Sequence, residues 1–314
     1  MYDFSPANMV KFFNPWRYVK LWYNNRVMRN LLAPHVERGI QQYASTRGAL
    51  NGPKTINYLA IKSYMQEVQA LDEKSGDSLV VDAKFVEEVV GHMKLFIFAG
   101  HDTTASTLSF TFSQLARHPQ ALAALRAEHD ALLGTDPADA KARLIAHPEL
   151  LNQMPYTLAV LKETLRLFPP AATARRGGPD IFLSNPESGR QYPTEDWLVN
   201  VVSTVSHRLE LYWERPDEFI PERFLAREGE PLYPLKNTYR PFELGPRNCI
   251  GQELARLEMC AILAMTAREL DIEPAYAPAA PEVLGEKCYQ TMVIGDITGH
   301  AKDGFPVRIK RRKI

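Results

Sequence analysis

The sequence predicts a mainly α-helical fold with a small β-sheet. Three observations carry that prediction: an unbroken helical pattern from Asp82 to Pro119, helical stretches at 119–134 and about 153–168, and short strand-like runs confined to the second half.

Residues 15–45 read as a long basic helix, with Val19, Tyr23, Val27, Leu31 and Val36 spaced for one face. Residues 46–80 are polar and broken by Gly52-Pro53 and Ser75-Gly76, which predicts a loop around a short helix. The long helix then starts at Asp82, a good N-cap, and steps through Phe85, Val89, Met93 and Phe96. At a rise of 1.5 Å per residue it is about 50 Å long, enough to cross a domain. Glu87, Glu88, His92, Lys94 and Asp102 argue against a membrane span and for a central helix. Pro169-Pro170 ends the helix at 153–168. Ile181 to Leu183 and Trp197 to Val205 read as strands, 207–250 as irregular chain, and a helix from about Gly251 carries Leu254, Leu257, Ala261 and Ala264. The tail, 284–310, alternates like short strands.

The 314 residues suffice to bury a sizeable core. Lysine plus arginine and aspartate plus glutamate both total 37, so no global basic excess points to nucleic acid. Cys249, Cys260 and Cys288 form no disulfide framework and fit a reducing compartment. No CxxC pair and no HExxH occurs, which argues against zinc. No signal peptide and no run of eighteen apolar residues is present in these 314 residues.

One segment carries sharp chemistry: Phe242-Glu-Leu-Gly245-Pro-Arg247-Asn-Cys249-Ile-Gly251. Gly245 and Gly251 remove side chains that would block approach to the sulfur. A helix begins just beyond, and its free N–H groups and dipole favour a sulfur anion. Such a thiolate suits an iron cofactor of the haem type, with Arg247 supplying a cation for a propionate and Phe242 covering the sulfur. A buried structural thiol is the ordinary expectation for Cys260 and Cys288.

A second cluster breaks the rules of helix composition. Gly100 costs about 1 kcal/mol inside a helix, and Asp102, Thr103 and Thr104 are poor formers. Local rule-breaking within a helix points to function. Gly100 would let the helix open, Thr103 would hold a proton beside the oxygen site, and Asp102 would renew it. Glu163 and Arg166 are i, i+3 neighbours, a spacing that by itself gives a surface pair worth little.

Together these segments resemble the cytochrome P-450 family. FxxGxRxCxG at 242–251 matches the haem-binding signature, Ala99 to Thr104 the oxygen-activation motif, Glu163 to Arg166 the ExxR motif, and Pro221-Glu222-Arg223-Phe224 the PERF motif. The resemblance covers the chain from about residue 15 onward, in the family's order. It implies the C-terminal portion of the cytochrome P-450 fold: the long central helix, the ExxR helix, the Cys-ligand loop and the helix after it. It implies haem b (iron protoporphyrin IX), with Cys249 as axial iron ligand and Phe242, Gly245, Arg247, Gly251 and Arg176 around it. Arg175 is an immediate rival of Arg176, and Thr104 of Thr103. Glu163, Arg166 and Arg223 are expected to form a buried structural triad. His207 is expected to be a packed or capping histidine.

Trp22 to Arg26 has the form WxxxR of a family haem contact but lies too close to the central helix to be it. Residues 1–314 are therefore expected to be one cytochrome P-450 domain lacking the N-terminal anchor and first helices. The resemblance is to microsomal and especially fungal members. It implies insertion of one atom of O2 into a lipophilic small molecule, with electrons from NADPH through NADPH–cytochrome P-450 reductase. It also implies placement on the cytosolic face of the endoplasmic reticulum membrane. The reductase would meet the Cys249 face near Arg247 and Arg256, and secondary metabolism is the expected setting. Within this chain, Lys11 to Tyr18 offers a peripheral membrane contact. Phe96, Ala171, Ala172 and Met292 suggest an apolar substrate pocket. Peroxide rearrangement is the less favoured chemistry, because it needs no proton relay. A truncated, non-catalytic fragment that binds no haem by itself is the remaining alternative.

Overall fold

The computed structural model describes residues 16–45, 58–66, 83–289 and 298–312. The contacts divide the chain into two compact units, and the boundary falls between His101 and Asp102.

The first unit holds helix α1 (Trp16–Ser45), helix α2 (58–66) and the beginning of helix α3 (Ala83–Arg117). Its core is Leu32, Ala33, Val36, Ile40 and Tyr43 of α1 with Ile61, Met65, Val86, Val89 and Val90. Tyr64 stacks on Phe85 with ring centroids 3.6 Å apart. This corrects the predicted face of α1. Val36 is buried, but Val19, Tyr23, Val27 and Leu31 are exposed. Steps of four residues drift by about 40° each around a helix of 3.6 residues per turn, so those four positions spread away from the core stripe. The Asp82 N-cap and most of 46–80 lie outside the described residues.

The second unit carries the rest. Helices α4 (Pro119–Leu133), α6 (Pro155–Leu167) and α8 (Gln252–Thr266) pack around one core, α5 (Ala140–Ala146) packs with Leu133, Met154 and Ala264 in a second, and α7 (Ser203–Ser206) is a single turn. Proline opens α4 and α6, where its missing N–H has no partner to lose. Phe110 of α3 stacks on Phe168 just past α6, centroids 4.8 Å apart, amid Leu125, Leu161, Leu165, Met259 and Leu263. Nine of the thirteen α6 residues are buried, including Glu163 and Arg166.

The strands form three antiparallel pairs. Strand β1 (Thr173–Arg176) pairs β4 (Leu198–Val201), β2 (Phe182–Ser184) pairs β3 (Gln191–Pro193), and β5 (Leu270–Pro274) pairs β6 (Val307–Arg311). The predicted strand 197–205 is shorter than expected, because Ser203 begins the α7 turn. Among the described residues the alternating tail yields one strand, β6, and its partner β5 was not anticipated. On α8 the predicted stripe is partly right: Ala264 is buried and Leu257 and Ala261 are half-buried, but Leu254 is exposed, and Met259, Cys260 and Leu263 join Ala264 in the core. That helix is apolar on several sides, so tertiary packing decides which side is buried.

Candidate active site

The irregular chain before α8 folds into a tight cysteine loop. Glu243 and Gly245 both have positive φ, +59° and +76°. Gly245 takes that conformation without a Cβ penalty, whereas Glu243 carries strain of order 1–3 kcal/mol. Glu243 is tied down by Arg240, whose Nη2 donates to both carboxylate oxygens at 2.7 and 3.1 Å. The loop closes where the Cys249 N–H donates to the Phe242 carbonyl at 2.8 Å and Asn248 N–H to Gly245 at 3.0 Å. Cys249 is exposed and free of any disulfide, and Gly251 caps α8 two residues on. A Cβ on Gly251 would stand 3.9 Å from the Cys249 sulfur, an ordinary van der Waals contact.

The loop forms one wall of a cavity of about 390 Å³. Cys249, Arg247, Phe242, Arg240 and Glu243 line it from the loop, and Thr103, Thr104 and Thr107 from α3. Apolar wall comes from Leu165, Pro170, Ala171, Ala255 and Met259. The donor set is one thiol, three guanidinium groups (Arg175, Arg240, Arg247) and a bank of threonine hydroxyls.

Two buried polar atoms of this lining lack a hydrogen-bond partner among the described residues: Thr104 Oγ1 and Arg240 Nε. Such orphans are costly unless something fills the space beside them. A soft sulfur ligand, cations for propionates, apolar walls and orphaned donors together fit haem.

Arg175, not Arg176, lines the cavity. Alternate residues of a strand face opposite sides, so Thr173 and Arg175 share the cavity face and Arg176 points away. Arg240 and Ser203 are lining residues that the sequence reading missed. A basic residue two positions before Phe242 was the available signal for Arg240; nothing in the sequence pointed to Ser203.

On α3, Thr103 and Thr104 both reach the cavity, and the Thr107 hydroxyl donates to the Thr103 carbonyl at 2.8 Å. The helix runs through Gly100 without interruption, and a Cβ there would meet nothing within 4 Å. Packing therefore does not demand the glycine. Asp102 Oδ2 stands 3.5 Å from His300 Nε2. Phe96 is half-buried in the first unit, Ala172 is exposed, and Met292 lies outside the described residues.

Behind the cavity, the ExxR and PERF motifs meet. Glu163 accepts two bonds from Arg166, both at 2.8 Å, one from Arg223 Nε at 3.1 Å and one from the Ile220 N–H at 2.9 Å. All three side chains are fully buried. Arg166 also donates to the carbonyls of His207, Pro216 and Glu218, and Arg223 to those of Glu214 and Arg215. Three buried charges thus fix the irregular chain 207–223 to α6.

His207 extends that network. Its Nε2 accepts from the Arg240 N–H at 3.0 Å, which leaves Nδ1 to donate to the Arg166 carbonyl at 3.0 Å. Burial pushes its pKa down to about 4, so the imidazole is neutral and shared between α6 and the cysteine loop. Arg26 lies over the Trp22 ring at 5.7 Å, a local contact on the exposed face of α1.

Comparison with known proteins agrees with this geometry. The cytochrome P-450 family model matches residues 2–284. A cytochrome P-450 monooxygenase, polC of Polytolypa hystricis, is 37% identical over 312 residues, covering 96% of this chain and 54% of its own length. The monooxygenase acrF of Aspergillus aculeatus is 31% identical over 316 residues, covering 91% of this chain and 61% of its own. Cytochrome P-450 4d8 of Drosophila melanogaster is 33% identical over 229 residues, 72% of this chain and 45% of its own. The chain belongs to the cytochrome P-450 family, whose cofactor is haem. It spans little more than half the length of the fungal relatives it matches. The non-catalytic alternative finds no support in these comparisons. No described helix is long and apolar enough to cross a membrane.

Proposed function

We propose that the protein acts as a haem-dependent monooxygenase that inserts one atom of O2 into a lipophilic small molecule, with electrons from NADPH through NADPH–cytochrome P-450 reductase. The observation that carries this reading is the meeting of Cys249, three arginines and the Thr103–Thr104 pair around one apolar-walled cavity.

Haem b, when bound, supplies thiolate-supported activation of dioxygen. The chain's own residues do the rest. Cys249 offers the sulfur from a loop whose shape Gly245 permits, and Phe242 lines the cavity beside it. Arg247, Arg240 and Arg175 hold the propionates. Asp102 and Thr103 move protons toward the oxygen site. Glu163, Arg166 and Arg223 keep the cysteine wall in register with α6.

The reductase fits the Cys249 face, where Ile250 is 86% exposed beside Leu254 and Arg247. Arg256 is already engaged by Glu253 and Asn152, which weakens it as a steering charge. The two fungal relatives support monooxygenase chemistry, and the apolar walls support a lipophilic substrate, with secondary metabolism as the proposed setting. Placement on the cytosolic face of the endoplasmic reticulum follows from the need for that reductase. Trp16 and Tyr18 are exposed, as a peripheral membrane contact requires, while residues 11–15 lie outside the described residues.

The test is isotopic. The haem-loaded protein is titrated with lipophilic compounds for a spectral shift, and any binder is then turned over with reductase and NADPH under labelled O2. One labelled atom per product is expected. Product formed without labelled oxygen would refute the reading.

A further inference from the structure

The mechanism above leaves one ionisable side chain unused beside its proton donor. His300 Nε2 stands 3.5 Å from Asp102 Oδ2, and the two side chains differ in exposure: 41% for His300 and 22% for Asp102. A group that touches solvent thus adjoins one that is largely sheltered.

The placement is built, not incidental. The Ser106 hydroxyl, one helical turn beyond Asp102 on the same face of α3, donates to the Gly299 carbonyl. The Gly299 N–H donates to the Pro170 carbonyl at 2.6 Å, and Thr298 pairs with Ala171 as a β-bridge. The Lys302 N–H donates to the Cys288 carbonyl at 2.7 Å. Residues 298–302 are therefore clamped on both sides of His300. The other ionisable side chains adjoining the pair along these elements are His101, Lys302 and Asp303, and Pro170–Ala171 contributes none.

We propose that His300 is the solvent end of the proton path, recharging Asp102 between turnovers. The proposal rests on the reading of Asp102 as proton donor. The step balances: the Nε2–H bond of the imidazolium breaks, an Oδ2–H bond forms on Asp102, and the neutral imidazole takes its next proton from water. The pair stands slightly beyond the 2.6–3.2 Å of direct transfer, a gap closed by one side-chain rotation. A histidine suits the task because its ordinary pKa, near 6.5, lets it both gain and lose a proton around neutrality.

The first arm needs no turnover. Asp102 Oδ2 stands 3.5 Å from His300 Nε2, so by NMR the His300 ring resonances should move in Asp102→Asn relative to the unmodified chain. Identical ring resonances in both would show that the two groups do not communicate and would overturn the proposal. The second arm uses the haem-loaded protein with reductase. His300→Gln keeps a hydrogen-bonding side chain but cannot carry a proton. It should leave the haem spectrum unchanged and raise peroxide formed per NADPH by about tenfold, below the full 10²–10⁴ of a proton relay because water substitutes in part. If Asp102→Asn uncouples turnover and His300→Gln does not, His300 is only structural and this inference fails alone. If Asp102→Asn itself leaves coupling intact, the underlying reading of Asp102 fails with it.

Discussion

The Glu163 cluster and the cysteine loop are built on opposite principles. In the first, three charges are fully buried, and the Glu163 carboxylate accepts four hydrogen bonds from Arg166, Arg223 and Ile220. In the second, the sulfur is exposed, Glu243 sits at an unfavourable φ, and Arg240 Nε beside it has no partner among the described residues. A satisfied network rigidifies and specifies one arrangement, whereas strained and unsatisfied groups persist where a ligand repays them. His207 joins the two, bonded to the Arg166 carbonyl on one side and the Arg240 N–H on the other. Stability and reactivity are thus assigned to neighbouring but different residues.

That division gives its largest effect at Glu163. Glu163→Ala leaves Arg166 and Arg223 as uncompensated buried charges, a loss of about 3–5 kcal/mol. Denaturant unfolding should register it, and haem incorporation and soluble yield should fall together. A well-folded, haem-loaded Glu163→Ala protein would dissolve the contrast.

Acid should act next, on two buried histidines: His207 of the Glu163 network and His129 of α4, which bonds Thr157. Burial lowers His207 to about 4, and burial followed by the Arg268 charge lowers His129 to about 4. Both folded values lie below the unfolded value of 6.5. Each therefore contributes stability above pH 6.5 that is lost as pH falls from 6.5 toward 4, by roughly 3 kcal/mol per histidine. Unfolding midpoints measured across that window check it. A His207→Asn variant should show a shallower decline.

A smaller effect is expected at Gly245. Gly245→Ala forces a Cβ into a φ of +76°, at a cost of about 1–2 kcal/mol. Thermal denaturation should show that loss, together with weakened haem retention. The smallest stability effect belongs to the residue with the greatest chemical importance. Cys249→Ala removes an exposed side chain and should change the unfolding free energy by no more than about 0.5 kcal/mol.

The two regions also differed in how legible they were. The cysteine loop could be read directly, because glycines at 245 and 251 around Cys249 and a following helix are local features. The triad could not be read from Glu163 and Arg166 alone, since an i, i+3 pair looks the same on a surface as in a core. The resemblance to the family supplied the expectation of Arg223, and the geometry supplied the carbonyls of residues 207–218. The long helix was legible almost to its last residue, Arg117. The core face of α1 was not, because apolar side chains ring much of that helix and packing selected Leu32, Ala33, Val36, Ile40 and Tyr43. Strand alternation was too short to separate Arg175 from Arg176, and only the pairing of β1 with β4 resolved which one faces the cavity. His300 carried no sequence signal, since it lies 198 positions after Asp102 (300 − 102) and fits no pattern.

The central claim is that Cys249 is the sulfur ligand of haem iron. It is tested most directly by the visible spectrum of the haem-loaded protein, reduced and exposed to carbon monoxide. A red-shifted Soret band characteristic of thiolate ligation is expected, lost in Cys249→Ala while the fold is retained. Persistence of that band in Cys249→Ala would contradict the account.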